Sequence, residues 1–199
     1  WIEEVQNVPH RDQFNSIHED LIERWKQLFA PKSLVHFAAC QEAGREDWGN
    51  LEYLMDTAFQ AGLSVSALSM ENLGWDQTQF VDLNDQAINH LFKLYPWEWI
   101  WEENFSTFIK PDSQWIEPCW KMLLSNKAIL VELWKQFPHH SLLLESHAFN
   151  PNDRFNGKWV RKPILAREGA NIHIIQNNVD CGEASGSFHF KDYDKYGYI

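Results

Sequence analysis

The sequence predicts an α+β chain in two parts. Three patterns carry that prediction. A strand–helix–strand run with short connections lies between residues 34 and 68, amphipathic helices with a 3.6-residue period flank or follow it, and two strands enclose a small-residue loop between 158 and 176.

In the first helix, residues 13–29, Ile17, Leu21, Ile22, Trp25, Leu28 and Phe29 recur on one face, and Pro31 stops the run. Leu34–Ala39 is a short apolar stretch of buried-strand character. Glu46-Asp47 opens a second helix with Leu51, Leu54, Met55, Ala58 and Phe59 on one side. Gly62 is placed to end it in the left-handed conformation that glycine adopts without steric cost. Leu63–Leu68 is the next strand, and strand–helix–strand with short links is the signature of a parallel pair. Phe80–Asp82 and Ile88–Tyr95 read as strands about an Asn84-Asp85 turn. Pro96 starts a short helix carrying Trp97, Trp99 and Trp101. Ile129, Leu130, Leu133, Trp134 and Phe137 form an amphipathic helix stopped by Pro138. Asn156-Gly157 is a turn, Lys158–Ile164 a strand, Arg167–Asn171 a loop and Ile172–Gln176 the returning strand. Trp25 and Trp134 fall on apolar helix faces and are expected in the core, whereas the Trp97–Trp101 cluster suits an interface or packing between lobes.

Composition narrows the function. Among 199 residues, 17 Lys+Arg stand against 28 Asp+Glu, a formal charge of −11, which opposes the basic face that nucleic-acid phosphates require. An acidic protein still makes an anion site with a few local lysines. The 15% aromatic content excludes a disordered chain. Cys40, Cys119 and Cys181 are odd in number and widely spaced, supporting neither a disulfide framework nor a zinc ribbon, so a cytoplasmic protein with reduced thiols is expected. No apolar run approaches a membrane span. The chain opens at Trp1 without a methionine and closes on Tyr193, Tyr196, Tyr198 and Ile199, so a segment of a longer protein is expected.

P-loop, GxGxxG, HExxH, GxSxG and EF-hand patterns do not occur. The nine histidines fit no metal-ligand spacing and read as surface or structural. The informative stretch is Lys162–Asn171, KPILAREGAN. A strand lysine is followed by a small-residue loop bearing Arg167. Gly169 lets backbone N–H groups approach phosphate oxygens, while Lys162 and Arg167 supply charge. An ordinary basic hairpin on an acidic surface is the other reading of the same residues.

That stretch, with Glu117-Pro118, Trp120-Lys121, Ser125–Leu130, Phe137-Pro138, Leu73-Gly74-Trp75 and Pro96–Trp99, resembles the glutathionylspermidine synthase family along nearly the whole chain. The resemblance is nearest to synthetase-like members without the amidase half. It implies a glutathione-synthetase-like ATP-grasp fold: an N-terminal helical segment (1–30), a parallel α/β substrate-side unit (31–112), and a nucleotide-side lobe with a mobile glycine-containing loop (113–199). It implies an ATP-dependent ligase that joins a carboxylate, such as a peptide like glutathione, to a polyamine-like amine through an acyl phosphate.

Residue by residue, the resemblance places Lys127 and Lys162, 35 positions apart, on ATP. Glu168 and Gly169 fall at ATP-touching loop positions, and Arg167 stabilises the acyl-phosphate transition state. Glu46 and Asp47 fall on a substrate-binding acidic pair, and adjacent carboxylates attract a cationic amine. They equally suit a helix start favoured by the dipole. Ala166 stands where the family usually has Gly, and Trp99 where the bifunctional enzyme has a small polar residue. The Mg²⁺ ligands are expected upstream of Trp1, and no metal ligand is assigned within the chain. A non-catalytic nucleotide-binding or interaction fragment is the alternative reading.

Overall fold

A computed structural model describes residues 15–41, 44–110, 114–150, 152–154, 156–167, 169–184 and 191–199. The chain divides into two compact units, Trp1–Pro118 and Cys119–Ile199. No helix among the described residues is long and apolar enough to cross a membrane.

In the first unit, α1 spans Ile17–Leu28 and ends where Phe29 turns extended. β1 (Leu34–Ala39), α2 (Arg45–Gln60) and β2 (Ser64–Ser69) form the expected parallel crossover, in register from Leu34↔Ser64 to Ala39↔Ser69. Gly62, at φ 87°, reverses the chain after α2. Its N–H donates to the carbonyl of Phe59, and that of Leu63 to the carbonyl of Ala58, satisfying two carbonyls the helix leaves open.

β3 (Gly74–Trp75) and β4 (Phe80–Val81) make a small antiparallel pair. β5 (His90–Leu94) then lies on the free side of β1, and β6 (Gln114–Ile116) beyond it, giving a four-stranded parallel sheet in the order β2-β1-β5-β6. β4 and β5 are shorter than the sequence reading had them. Asp82 leaves the strand because its carboxylate accepts the N–H groups of Asn84 and Gln86. Ile88 donates to the carbonyl of Phe80, so it belongs to the small hairpin rather than to β5.

One face of the sheet presents Val35, Phe37 and Ala39 to α1 and α2, where Trp25, Leu51 and Ala58 close the core. Trp25 stands edge-on to Phe37 at 5.6 Å, and its indole N–H donates to Thr57 at 3.0 Å, so the polar end of a buried ring is satisfied. The other face presents Ala38, Leu68 and Leu91 with Met70, and Trp115 and Phe105 pack against them. After Pro96 the short helix α3 (Trp97–Ile100) buries Trp97, which stacks on Trp101 at 5.5 Å.

In the second unit, α4 (Ala128–Gln136) starts where the Asn126 side chain accepts the N–H of Ala128, and it stops before Pro138. Trp134 is only half-buried, so the helix carries less core than its periodicity predicts. β7 (Lys158–Arg161), β8 (His173–Gln176) and β9 (Val179–Glu183) form an antiparallel sheet in that order. The strand read as Lys158–Ile164 leaves β8 after Arg161. Lys162 instead exchanges two backbone hydrogen bonds with Ile199, and Ile164 donates to Gly197, with Pro163, which has no N–H to give, bridging to Tyr198 between them. Asn177 and Asn178, at φ 49° and 68°, turn the chain into β9.

Candidate functional site

The second unit brings two of the sequence-predicted cations to one loop. Lys127, at the start of α4, donates its backbone N–H to the carbonyl of Ile164 at 3.0 Å and its ammonium to the carbonyl of Ala166 at 2.6 Å. Lys162 sits two residues before Ile164, just past β7, where its backbone pairs with Ile199. The loop then carries Arg167, which is exposed, and Gly169, whose φ of 75° is left-handed. A β-carbon at Gly169 would meet only Ile172, at an ordinary 3.8 Å, so the requirement there is backbone rather than space. Glu168 lies outside the described residues.

The loop is pinned at its far end by Asn171. This residue is fully buried, lies at φ 54°, and donates through its side-chain amide to Asp194 at 2.6 Å. Asp194 also accepts the hydroxyl proton of Tyr198; burial and that carboxylate push the Tyr198 phenol up to about 12.

Beside Lys162 opens a cavity of about 440 Å³. Its basic wall is Lys158, Arg161 and Lys162; Leu130, Val160 and Ile175 give it apolar surface. Arg161 is held in place on three sides. Its guanidinium lies 5.0 Å from the ring of Phe149 and 4.9 Å from that of Tyr198, and pairs with Asp180 at 3.1 Å. Asp180 also faces His173 at 3.1 Å. Burial alone would raise the Asp180 carboxyl, but the N–H of Gly182, His173 and Arg161 outweigh it and hold the group below the usual range. Three cations against one carboxylate, Glu145, together with apolar surface suit an anion that carries an apolar part. Lys127, Arg167 and Gly169 are not among the residues described as lining the cavity.

In the first unit, the chain leaves β1 toward β2 on one side and returns as β5 on the other. β1 and β5 stay paired up to Ala39↔Leu94, but the connections leaving their carboxyl ends run to opposite sides, and open parallel sheets bind ligands in the crevice at such a point. Glu46 and Asp47 lie here, exposed in the first turn of α2, the helix that follows β1. The sequence reading did not single out their neighbours at this edge. Glu71, past the end of β2, accepts the N–H of Gln41 at 2.9 Å and the thiol of Cys40 at 3.1 Å. Burial works to raise its carboxyl, and these donors together hold it below the ordinary value. Tyr95, past the end of β5, donates to Glu103 at 3.0 Å; burial, then that carboxylate, push its phenol well above the ordinary value. Trp99, the residue noted as unusual, stands edge-on to Tyr95 at 5.3 Å. Lys93 is 3% exposed, donating to the carbonyl of Tyr95 and lying 4.2 Å over the ring of Trp97.

His36 was also missed. It is fully buried in β1, with Nε2 3.6 Å from the Asp82 carboxylate. Burial holds its imidazole below the ordinary value against the pull of Asp82. This is a structural pair within the core, in line with the sequence reading of the histidines. Among the described residues no group of three or more His, Cys, Asp or Glu comes together as a metal site.

Comparison with known proteins gives one family. The family described as glutathionylspermidine synthase preATP-grasp matches residues 1–199. A putative acid–amine ligase of Haemophilus influenzae is 44% identical over 207 residues, covering all of this chain and 52% of that protein. The bifunctional glutathionylspermidine synthetase/amidase of Escherichia coli is 26% identical over 216 residues, covering 94% of the chain and 34% of that protein. A trypanothione synthetase of Crithidia fasciculata is 23% identical over 188 residues, covering 79% of the chain and 28% of that protein. The chain thus spans about half the length, or less, of the curated relatives it matches.

Proposed function

Because the chain belongs to the glutathionylspermidine synthase preATP-grasp family, we propose that it serves an ATP-dependent carboxylate–amine ligase. The observation that carries this reading is the cavity walled by Lys162 beside a loop whose backbone Lys127 holds. A nucleotide has the flat apolar base and the polyphosphate that such a wall selects. Names among the relatives, a putative acid–amine ligase, a glutathionylspermidine synthetase/amidase and a trypanothione synthetase, support the same class.

In this reading a carboxylate oxygen of the acid attacks the γ-phosphorus of ATP and ADP leaves. The amine nitrogen then attacks the acyl carbon, phosphate leaves with the bonding pair, and the nitrogen gives up a proton to solvent. Lys127 and Lys162 neutralise the phosphates in the ground state. Arg167, on the exposed loop, offers a planar fork to the charge that builds on the transferred phosphoryl and the tetrahedral intermediate. Gly169 lets the loop backbone come close to oxygen, and the resemblance puts Glu168 at an ATP-touching position as well. Glu46 and Asp47, in the helix that follows β1, attract the cationic end of a polyamine, and the acid is a small peptide such as glutathione. The resemblance implies that Mg²⁺ accompanies ATP.

The test is ADP release by the full-length protein across a panel of peptides and polyamines. ADP release that needs both an acid and an amine, and falls with Lys162→Ala, is the expected result. ATP binding without turnover for any pair would favour the non-catalytic nucleotide-binding reading.

A further inference from the structure

The inference rests on the reading of the cavity as a nucleotide site, and it concerns one wall of that cavity. Leu144 lines the cavity yet is 88% exposed, in contrast to Ile175 on the same cavity, which is buried. Leu144 belongs to a strap without regular secondary structure. The strap begins at a local turn, in which the N–H of Leu143 donates to the carbonyl of His140 three residues back, and is anchored at Phe149, whose N–H donates to the carbonyl of Tyr198. Between these two points, the side-chain hydrogen bonds of the described residues are internal to the strap: Ser146 donates to the carbonyl of Leu144, and His147 meets Glu145 at 2.9 Å. The His147 ring lies 5.8 Å from that of Trp159 on β7.

A leucine that is nearly wholly wet on the wall of a cavity gains burial only when an occupant covers it. Leu130 and Val160, on the same cavity, are also more than a third exposed. Three apolar side chains thus offer surface to a flat apolar group, while Lys158 and Lys162 offer charge to an anion, Arg161 being already paired with Asp180.

We propose that the 143–149 strap is the closing wall of the cavity. A bound purine nucleotide draws Leu144 onto the face of its base, with the Leu143 turn and the Phe149 anchor as hinges and the phosphates toward Lys162. Leu144 is then a base-contacting residue, and it takes no part in phosphate binding.

The experiment measures binding of ATP and of inorganic tripolyphosphate, by calorimetry, to the full-length wild type and to Leu144→Ser. Hydrogen exchange across 143–149 is followed with and without a non-hydrolysable ATP analogue. Leu144→Ser is expected to bind ATP about tenfold more weakly, from the loss of one leucine's burial, and tripolyphosphate as the wild type does. The analogue should slow exchange between the two hinges in the wild type. Because Leu144 is exposed in the free protein, the thermal midpoint should be unchanged. Equal ATP affinity in the two proteins, or an equal loss for tripolyphosphate, overturns the strap while leaving the nucleotide reading intact. Failure of the wild type to bind ATP at all overturns both, which distinguishes the two failures.

Discussion

Lys127 reaches across 39 residues of sequence to donate its ammonium to the carbonyl of Ala166 at 2.6 Å. Its backbone N–H takes the carbonyl of Ile164, so one residue holds the stretch from which Arg167 and Gly169 emerge. The cation is thereby tied to loop geometry as well as to charge. A charged hydrogen bond of this kind contributes about 1.5–3 kcal/mol.

Lys127→Met keeps the apolar stem of the side chain and removes the ammonium. It should weaken ATP binding by about tenfold or more and speed hydrogen exchange over 165–171. Calorimetry with exchange mass spectrometry checks both, and a variant unchanged in the two measurements would show that the anchor does not set the loop.

Lys162 and Arg167 divide differently. Lys162 lies on the cavity wall and should act on the bound ground state, whereas Arg167 stands out on the loop and should act when charge develops. Lys162→Ala is expected to raise the ATP Kd. Arg167→Ala is expected to lower kcat with ATP affinity little changed. Titrating ATP into both variants before measuring turnover separates the effects; equal loss of affinity in the two would refute the division.

The His36–Asp82 pair makes stability fall with acid. The folded-state pKa of His36 lies below the unfolded value of 6.5, because burial disfavours the imidazolium. Its contribution is complete above 6.5 and is lost as pH falls from 6.5 through the folded pKa, at up to about 1.4 kcal/mol per pH unit. Asp82, whose carboxyl is lowered by the N–H groups of Gln86 and Asn84, adds a loss only at more acid pH, below its ordinary 3.8. Between pH 7.5 and 5.5 the thermal midpoint should therefore drop, and His36→Gln, although less stable overall, should flatten that drop. An identical slope in the variant would assign the titration elsewhere.

The sequence was legible where local pattern and tertiary partner agree. The β1–α2–β2 crossover followed from two apolar runs around a periodic helix, and Gly62 falls at the left-handed position where the pattern asks for it. β9 was not legible: Val179-Asp180-Cys181-Gly182-Glu183 has one large apolar residue, and it is an exposed edge strand whose pairing is interrupted between His173 and Ile175. The shortened β7 was missed because Lys162 and Ile164 find their partners at the chain's end, 33 to 37 positions on, where no local signal points. In the site, Lys127, Lys162 and Gly169 stood out by type and spacing. The wall from Leu144 to Phe149 did not, since it is irregular chain defined only by what it lines. Likewise nothing around His36 announces Asp82, 46 positions away, as its neighbour.

Glu46 and Asp47 keep the two readings that the sequence left open, and a kinetic experiment separates them. Both are exposed in the first turn of α2, where negative charge stabilises the helix by about 0.3–1 kcal/mol whatever the protein binds. If they also attract the amine, neutralising each should raise the amine KM about fivefold, the effect of one unit charge at about 4 Å in water, and the effect should fade with added salt. Glu46→Gln and Asp47→Asn, alone and together, are to be assayed with a polyamine varied against fixed acid and ATP. A rise in amine KM at constant acid KM, steeper at low salt, supports substrate attraction. A lowered thermal midpoint with the amine KM unchanged would leave the pair as a helix start alone, and would move the search for the amine's partner to Glu71 and Glu103 at the same edge of the sheet.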